Sequence, residues 1–207
     1  MMRVTVIDYK AGNLTSVLKA LRHLGAEVAV TDVDSELIAT SERLVLPGVG
    51  HFAATARLDE TEMTSAIRKA ITSGIPFLGI CVGMQWLFAG SSEAPGQAGL
   101  GRFSNLCARF PECEQKVPHV GWNSLKVRAD SRLLAGVESG SFVYFTHSYR
   151  APVTEDTAAE ACYIEPFAAA VERANVMGVQ FHPEKSGATG LRILQNFLSW
   201  NQERPSC

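Results

Sequence analysis

Ile75 to Ile80 is an unbroken apolar run, and a helical pattern through Met84, Leu87 and Phe88 follows it at once. A run without alternation reads as a strand buried on both faces. Such a strand needs helices above and below it, which restricts the chain to a layered α/β fold.

The rest of the first half repeats the rhythm. Val4 to Asp8 reads as a strand, Asn13 as the cap of a helix with the stripe Leu14, Val17, Leu18, Leu21 and Leu24, and Gly25 as its stop. Strands follow at Val28–Val30 and Arg43–Leu46, then a helix through Ile67, Ala70 and Ile71 that ends near Gly74. This predicts a mostly parallel central sheet with helices on both faces. Its ligands would bind beyond the carboxyl ends of the strands, where Pro47–Gly50 and Cys81 fall.

The second half changes character. Leu106–Phe110, Val117–Val120, Asn123–Val127, Phe142–Thr146 and Val176–Phe181 read as strands with few helices between them, so part of the sheet should be antiparallel. Ser91–Gly101 reads as a surface loop, Ala188–Trp200 as a last helix, and Gln202–Cys207 as a frayed tail. No linker interrupts the 207 residues, so a single domain over 1–207 is expected.

Charge narrows the partners. Nineteen basic and 21 acidic residues give −2, with no Lys/Arg run, so neither nucleic acid nor an acidic membrane surface is expected. Asp8 ends the first apolar run too early for a signal peptide or a span, which gives a cytoplasmic expectation. Five scattered cysteines argue against a disulfide framework, and no spacing suggests a metal site.

Three stretches carry chemistry. Gly79-Ile80-Cys81-Val82-Gly83, between strand and helix, fits a nucleophile elbow. It would expose the Cys81 thiol near a helix N-terminus and aim the Val82 N–H at a developing oxyanion. The alternative is a buried structural cysteine, which is the reading for Cys107, Cys113, Cys162 and Cys207. His182-Pro183-Glu184 offers a base with an orienting carboxylate, since in extended backbone both side chains share one side. By itself it fits a surface His beside a surface Glu equally well. Pro47-Gly48-Val49-Gly50-His51-Phe52 has the glycines to bring N–H groups close to a carbonyl oxygen. It lacks a phosphate-loop pattern, and a simple turn stays open. His23 reads as a solvated helix end; His51 and His119 lie in glycine-bearing loops that line either the site or an interface.

Together these stretches resemble the class I, triad-type glutamine amidotransferases. Asp8–Asn13, Met84-Gln85, Pro118-His119-Val120-Gly121-Trp122-Asn123, Tyr144–Tyr149 and Gln180–Ser186 extend the likeness over nearly the whole chain. The sub-family most resembled is the glutaminase subunit of imidazole glycerol phosphate synthases, through P-G-V-G-H-F and P-H-x-G-W-N. Relatives in carbamoyl phosphate, anthranilate or GMP synthesis usually carry His at the place of Met84. Val82 where Leu is commoner and Thr146 before His147 are small departures.

The resemblance implies a flavodoxin-like amidotransferase domain. It implies Cys81, His182 and Glu184 as a glutaminase triad, Gly50 and Val82 as the oxyanion hole, and Gln85, His147, Ser148 and Tyr149 as holders of glutamine. It implies no cofactor and no metal. It further implies a (β/α)₈-barrel cyclase partner that takes the ammonia, facing Asn13, Pro118, Trp122, Tyr144 and Lys185. Family members are nearly silent without a liganded partner, and the Pro47–Gly50 loop is the expected switch. Other readings are a glutaminase serving another synthase, a non-catalytic binding module on the same fold, and a cysteine peptidase or amidase.

Overall fold

The computed structural model describes residues 2–11 and 14–200. The expected cap Asn13 lies outside them, as does the tail with Cys207.

The strands are β1 (Arg3–Ile7), β2 (Glu27–Thr31), β3 (Arg43–Gly48), β4 (Phe77–Cys81), β5 (Gly90–Ser91), β6 (Leu106–Arg109) and β7 (His119–Ser124). They continue with β8 (Lys126–Val127), β9 (Phe142–His147), β10 (Tyr149–Arg150), β11 (Thr157–Tyr163), β12 (Glu165–Arg173) and β13 (Val176–Val179). The helices are α1 (Thr15–His23), α2 (Ser35–Ala39), α3 (Ala56–Glu60), α4 (Met63–Thr72), α5 (Val82–Trp86) and α6 (Gly187–Leu198), with short 3₁₀ turns at Phe52–Thr55 and Pro183–Lys185.

The main sheet has the order β2-β1-β3-β4-β13-β12-β11-β8. Pairing is parallel from β2 through β13 and antiparallel from β13 to β8. The chain steps one way from β1 to β2 and the other way to β3 and β4. Right-handed crossovers therefore put α1 on one face and α2 to α4 on the other. The contacts agree: α1 and α6 both touch the Pro183–Lys185 turn, while α2 and α3 pack on α4. In α1 the apolar stripe buries Val17, Ala20 and Leu21, and Gly25 takes the left-handed φ (+84°) that ends the helix.

Two differences from expectation have local causes. β7 runs unbroken through Gly121, whose φ of +139° only glycine accepts readily, so pairing with Phe145 continues where a break was expected. β11 and β12 did not read as strands because they are built on alanine, a residue depleted from strands. Tertiary packing overrides that preference: Ala168, Ala169 and Ala170 are completely buried.

Arg43, buried at the start of β3, ties the last helix to the sheet. Its guanidinium donates to the carbonyls of Phe197 and Trp200 at the carboxyl end of α6. A cation there meets the free carbonyls and the negative end of the helix. Arg43→Met should lower unfolding stability by about 2 kcal/mol, because it removes the guanidinium from the buried Trp200 carbonyl and leaves that of Phe197 only the Trp200 N–H. Urea unfolding measures this; a midpoint unchanged from the parent would contradict it.

Candidate active site

The site forms where β3 and β4 end side by side, with Gly48 in register with Cys81. Cys81 closes β4 and immediately precedes α5, at φ +54° and ψ −109°. A non-glycine residue there is strained, and the strain persists only where the surroundings enforce it. Here they do. A Cβ on Gly79 would sit 2.4 Å from the Gly83 carbonyl oxygen, and one on Gly83 would sit 1.8 Å from that of Leu46. The two glycines thus permit backbone on backbone contact, and Cys81 carries the left-handed turn between them. α5 has only five residues, and it follows the strand with no intervening loop.

His182 and Glu184 come together, by a different route from the one expected. His182 is extended (φ −99°, ψ 96°), but Pro183–Lys185 curls into a 3₁₀ turn. The turn brings Glu184 Oε1 to 2.9 Å from His182 Nδ1, with both side chains buried. The carboxylate accepts, so Nδ1 carries the hydrogen. His182 Nε2 is buried and makes no hydrogen bond among the described residues. Burial lowers the pKa of the ring, but the Cys81 sulfur and the Glu184 carboxylate outweigh it and raise the pKa to about 9.

In front of Cys81 lies a cavity of about 230 Å³. Of the expected residues, Gly50, Cys81, Val82, Gln85, Pro118, His147, Ser148 and Tyr149 line it. His182 and Glu184 instead border a narrow cleft beside Pro47, Gly48 and Val49. Gly50 has φ +88°, and Val49 N–H donates to the Ala11 carbonyl at 3.1 Å. Glu93 also lines the cavity, the one charged side chain among the described residues to do so, and accepts from Phe52 N–H at 2.7 Å. Sequence reading passed over it as part of a Gly/Ser-rich loop, where a single acid gives no signal. Gln180 was missed too: fully buried, it places Nε2 3.7 Å from the Cys81 sulfur.

His119 lies in strand β7, not in a loop, and is buried. Its Nδ1 is 3.2 Å from His147 Nε2, and His147 Nδ1 is 2.9 Å from the Tyr149 carbonyl. Burial lowers both rings, His119 to about 4 and His147 to about 3. His51 is exposed, does not line the cavity, and caps the Phe52–Thr55 turn by accepting from Ala53 N–H. His23 ends α1 at the surface as expected. Cys107 is buried, and burial holds its thiol well above the usual range. Cys113 and Cys162 are exposed rather than core residues: one lies in a loop, the other on β11 near the edge of the sheet.

A model of the family described as "Glutamine amidotransferase class-I" matches residues 5–200. The imidazole glycerol phosphate synthase subunit HisH of Methanosarcina acetivorans is 44% identical over 96% of this chain and 98% of its own. The HisH subunit of Methylococcus capsulatus is 46% identical over 97% of both chains. The chain belongs to the class-I glutamine amidotransferases, in their HisH branch. The fold is shared with more distant solved structures. A structure of PurLQS from Thermotoga maritima covers 95% of this chain with a TM-score of 0.75 at 20% identity, and a crystal structure of a glutamine amidotransferase covers 94% with 0.74 at 21%. Among the described residues of this amidotransferase no helix is long and apolar enough to cross a membrane.

Two outcomes follow from this geometry. Gly83→Ala should cost about 3 kcal/mol in stability, since the new methyl overlaps the Leu46 carbonyl and both groups are backbone-anchored. Full stability on thermal unfolding would show that the elbow yields.

The second outcome concerns His182. Its folded pKa is raised from 6.5 to about 9, so its contribution to stability is complete below 6.5 and is lost as pH rises through 9. By imidazole NMR, Glu184→Gln and Cys81→Ala should each lower that midpoint. A midpoint that moves in neither variant would remove both partners from the account.

Proposed function

We propose that this chain is the glutaminase of an imidazole glycerol phosphate synthase. It hydrolyses glutamine to glutamate and ammonia and delivers the ammonia to a (β/α)₈-barrel cyclase, as one glutaminase domain in the cytoplasm. The observation that carries the reading is the convergence of an elbow cysteine, a histidine braced by a carboxylate, and a polar cavity with a single acid, in a chain of the HisH branch.

In this reading the Cys81 thiolate attacks the side-chain amide carbon of glutamine. The carbonyl electrons move onto oxygen, which the N–H groups of Val82 and Gly50 receive. His182, protonated through neutral pH, gives its proton to the leaving nitrogen; the C–N bond breaks, ammonia departs and a glutamyl thioester remains. His182 then takes a proton from water as it attacks the thioester, and glutamate leaves with Cys81 restored. Glu184 keeps the ring in one tautomer throughout. Glu93 offers the counter-charge for the ammonium of the amino acid. Gln85, His147, Ser148 and Tyr149 shape the cavity around its chain.

The partner surface is the outer face of the β7–β9 ribbon. Trp122 pairs with Tyr144 across the strands, and their rings lie 6.1 Å apart. Lys185 Nζ is 5.8 Å from the Tyr144 ring. Val120, Trp122 and Phe142 are each more than half exposed, an apolar group that a monomer leaves wet and an interface would cover. The same ribbon carries Thr146 and His147 to the cavity, which supports partner-gated turnover.

Glutamate release should be measured for the chain alone, with a barrel cyclase, and with cyclase plus its ribulosyl ligand. Strong turnover is expected only in the third state, with Cys81→Ala at least about 10⁴-fold slower there, as for loss of a covalent nucleophile. Equal turnover in all three states would sink the gating. Silence in all three with docking confirmed would favour a different synthase or a non-catalytic module.

A further inference from the structure

The Tyr149 carbonyl oxygen can only accept hydrogen bonds. Gln85 Nε2 lies 3.0 Å from it and 3.0 Å from Gln180 Oε1, so both amide hydrogens of Gln85 are placed. The orientation of the Gln180 amide follows: its oxygen faces Gln85, and its nitrogen is left for the Cys81 sulfur at 3.7 Å. Gln180 is fully buried, and its backbone N–H is fixed on the Ala169 carbonyl at 2.8 Å, so neither water nor main-chain drift competes for that nitrogen.

We propose that Gln180 is a positioning residue, whose amide N–H donates to the Cys81 sulfur and holds it in front of the cavity, and is itself aimed by Gln85. This deepens the glutaminase reading and rests on Cys81 as its nucleophile. An N–H donor stabilises a sulfur anion more than a neutral thiol, because charge strengthens the bond. His182 and Tyr9 also lie close enough to act on the sulfur, and as a thiol the sulfur donates to the Thr146 carbonyl at 4.0 Å. Gln85 thereby acquires two roles. Its nitrogen is consumed inside the protein, and only its oxygen remains for a ligand.

Peptide-resolved alkylation of Cys81 by iodoacetamide, followed against pH, tests the assignment; the resolution matters because Cys81 is reached only through the cavity, whereas Cys113 and Cys162 are exposed. Gln180→Met keeps the shape without the donor and should raise the alkylation midpoint by about one unit, a tenfold loss of thiolate at fixed pH. Gln180→Glu should raise it further by adding negative charge. Gln85→Met should move it the same way but less, and the double methionine variant no further than Gln180→Met alone. Turnover in Gln180→Met should fall about tenfold in kcat, the same loss of thiolate, with KM within about twofold. An unchanged midpoint in folded Gln180 variants overturns the proposal. If neither folds, an unchanged midpoint in Gln85→Met does so. Retained turnover in Cys81→Ala would instead remove Cys81 as the nucleophile on which the reading rests, while the thiol midpoint still decides whether the amide holds the sulfur.

Discussion

The structure depends on one close approach of backbone to backbone. Gly83, in the first turn of α5, lies against the Leu46 carbonyl on β3, and Gly79 on β4 lies against the Gly83 carbonyl. No side chain fits between them. The contact forces the chain to turn from strand to helix in a single residue, and that residue is Cys81. The strain at φ +54° is thus bound up with packing of the central sheet, and it stays because relieving it would open the core. Placement of the sulfur is a property of the sheet, not of a loop that happens to carry a cysteine.

A second constraint acts from the other end of the sheet. The β7–β9 ribbon is set off from the main sheet and has two faces. Inward-pointing His119, Phe145 and His147 pack with Phe110 and Phe167 in a dense aromatic cluster. Outward-pointing Val120 and Trp122 stay exposed. Because strand side chains alternate, what presses on Trp122 and Tyr144 bears on the same backbone that presents Thr146 and His147 to the cavity. This is a short mechanical path from a surface to a site, and it needs no separate relay.

Legibility in the sequence followed the physics of each element. The parallel half was readable because its strands are continuous apolar runs and its helices have clear stripes and stops. The elbow was readable because two glycines flank a cysteine at a strand–helix junction. β11 and β12 were not readable, since alanine gives no strand signal and only the neighbouring layers make it one. His182 and Glu184 were paired correctly by a wrong local geometry: a 3₁₀ turn, not extended backbone, brings them together. Glu93 and Gln180 were illegible for a shared reason. Each matters through a partner distant in sequence, Phe52 N–H in one case and Cys81 and Gln85 in the other. The resemblance supplied the grouping of the cavity residues that spacing could not. It did not supply the direction of the hydrogen bonds.

That direction settles how three buried histidines divide their work. The Tyr149 carbonyl fixes the hydrogen of His147 on Nδ1, so His147 Nε2 is bare and accepts from His119 Nδ1. His119 Nε2 is then left to accept from Asn123 Nδ2 at 3.5 Å. Neither ring can be protonated without losing an accepted bond, which acts in the same direction as the burial that holds them to about 4 and about 3. His182 differs in what surrounds it: a carboxylate on one side and a sulfur on the other, which take it up to about 9. Near neutral pH these shifts leave His182 charged and His119 and His147 neutral. The neutral pair forms a buried wall that adds no positive charge beside His182.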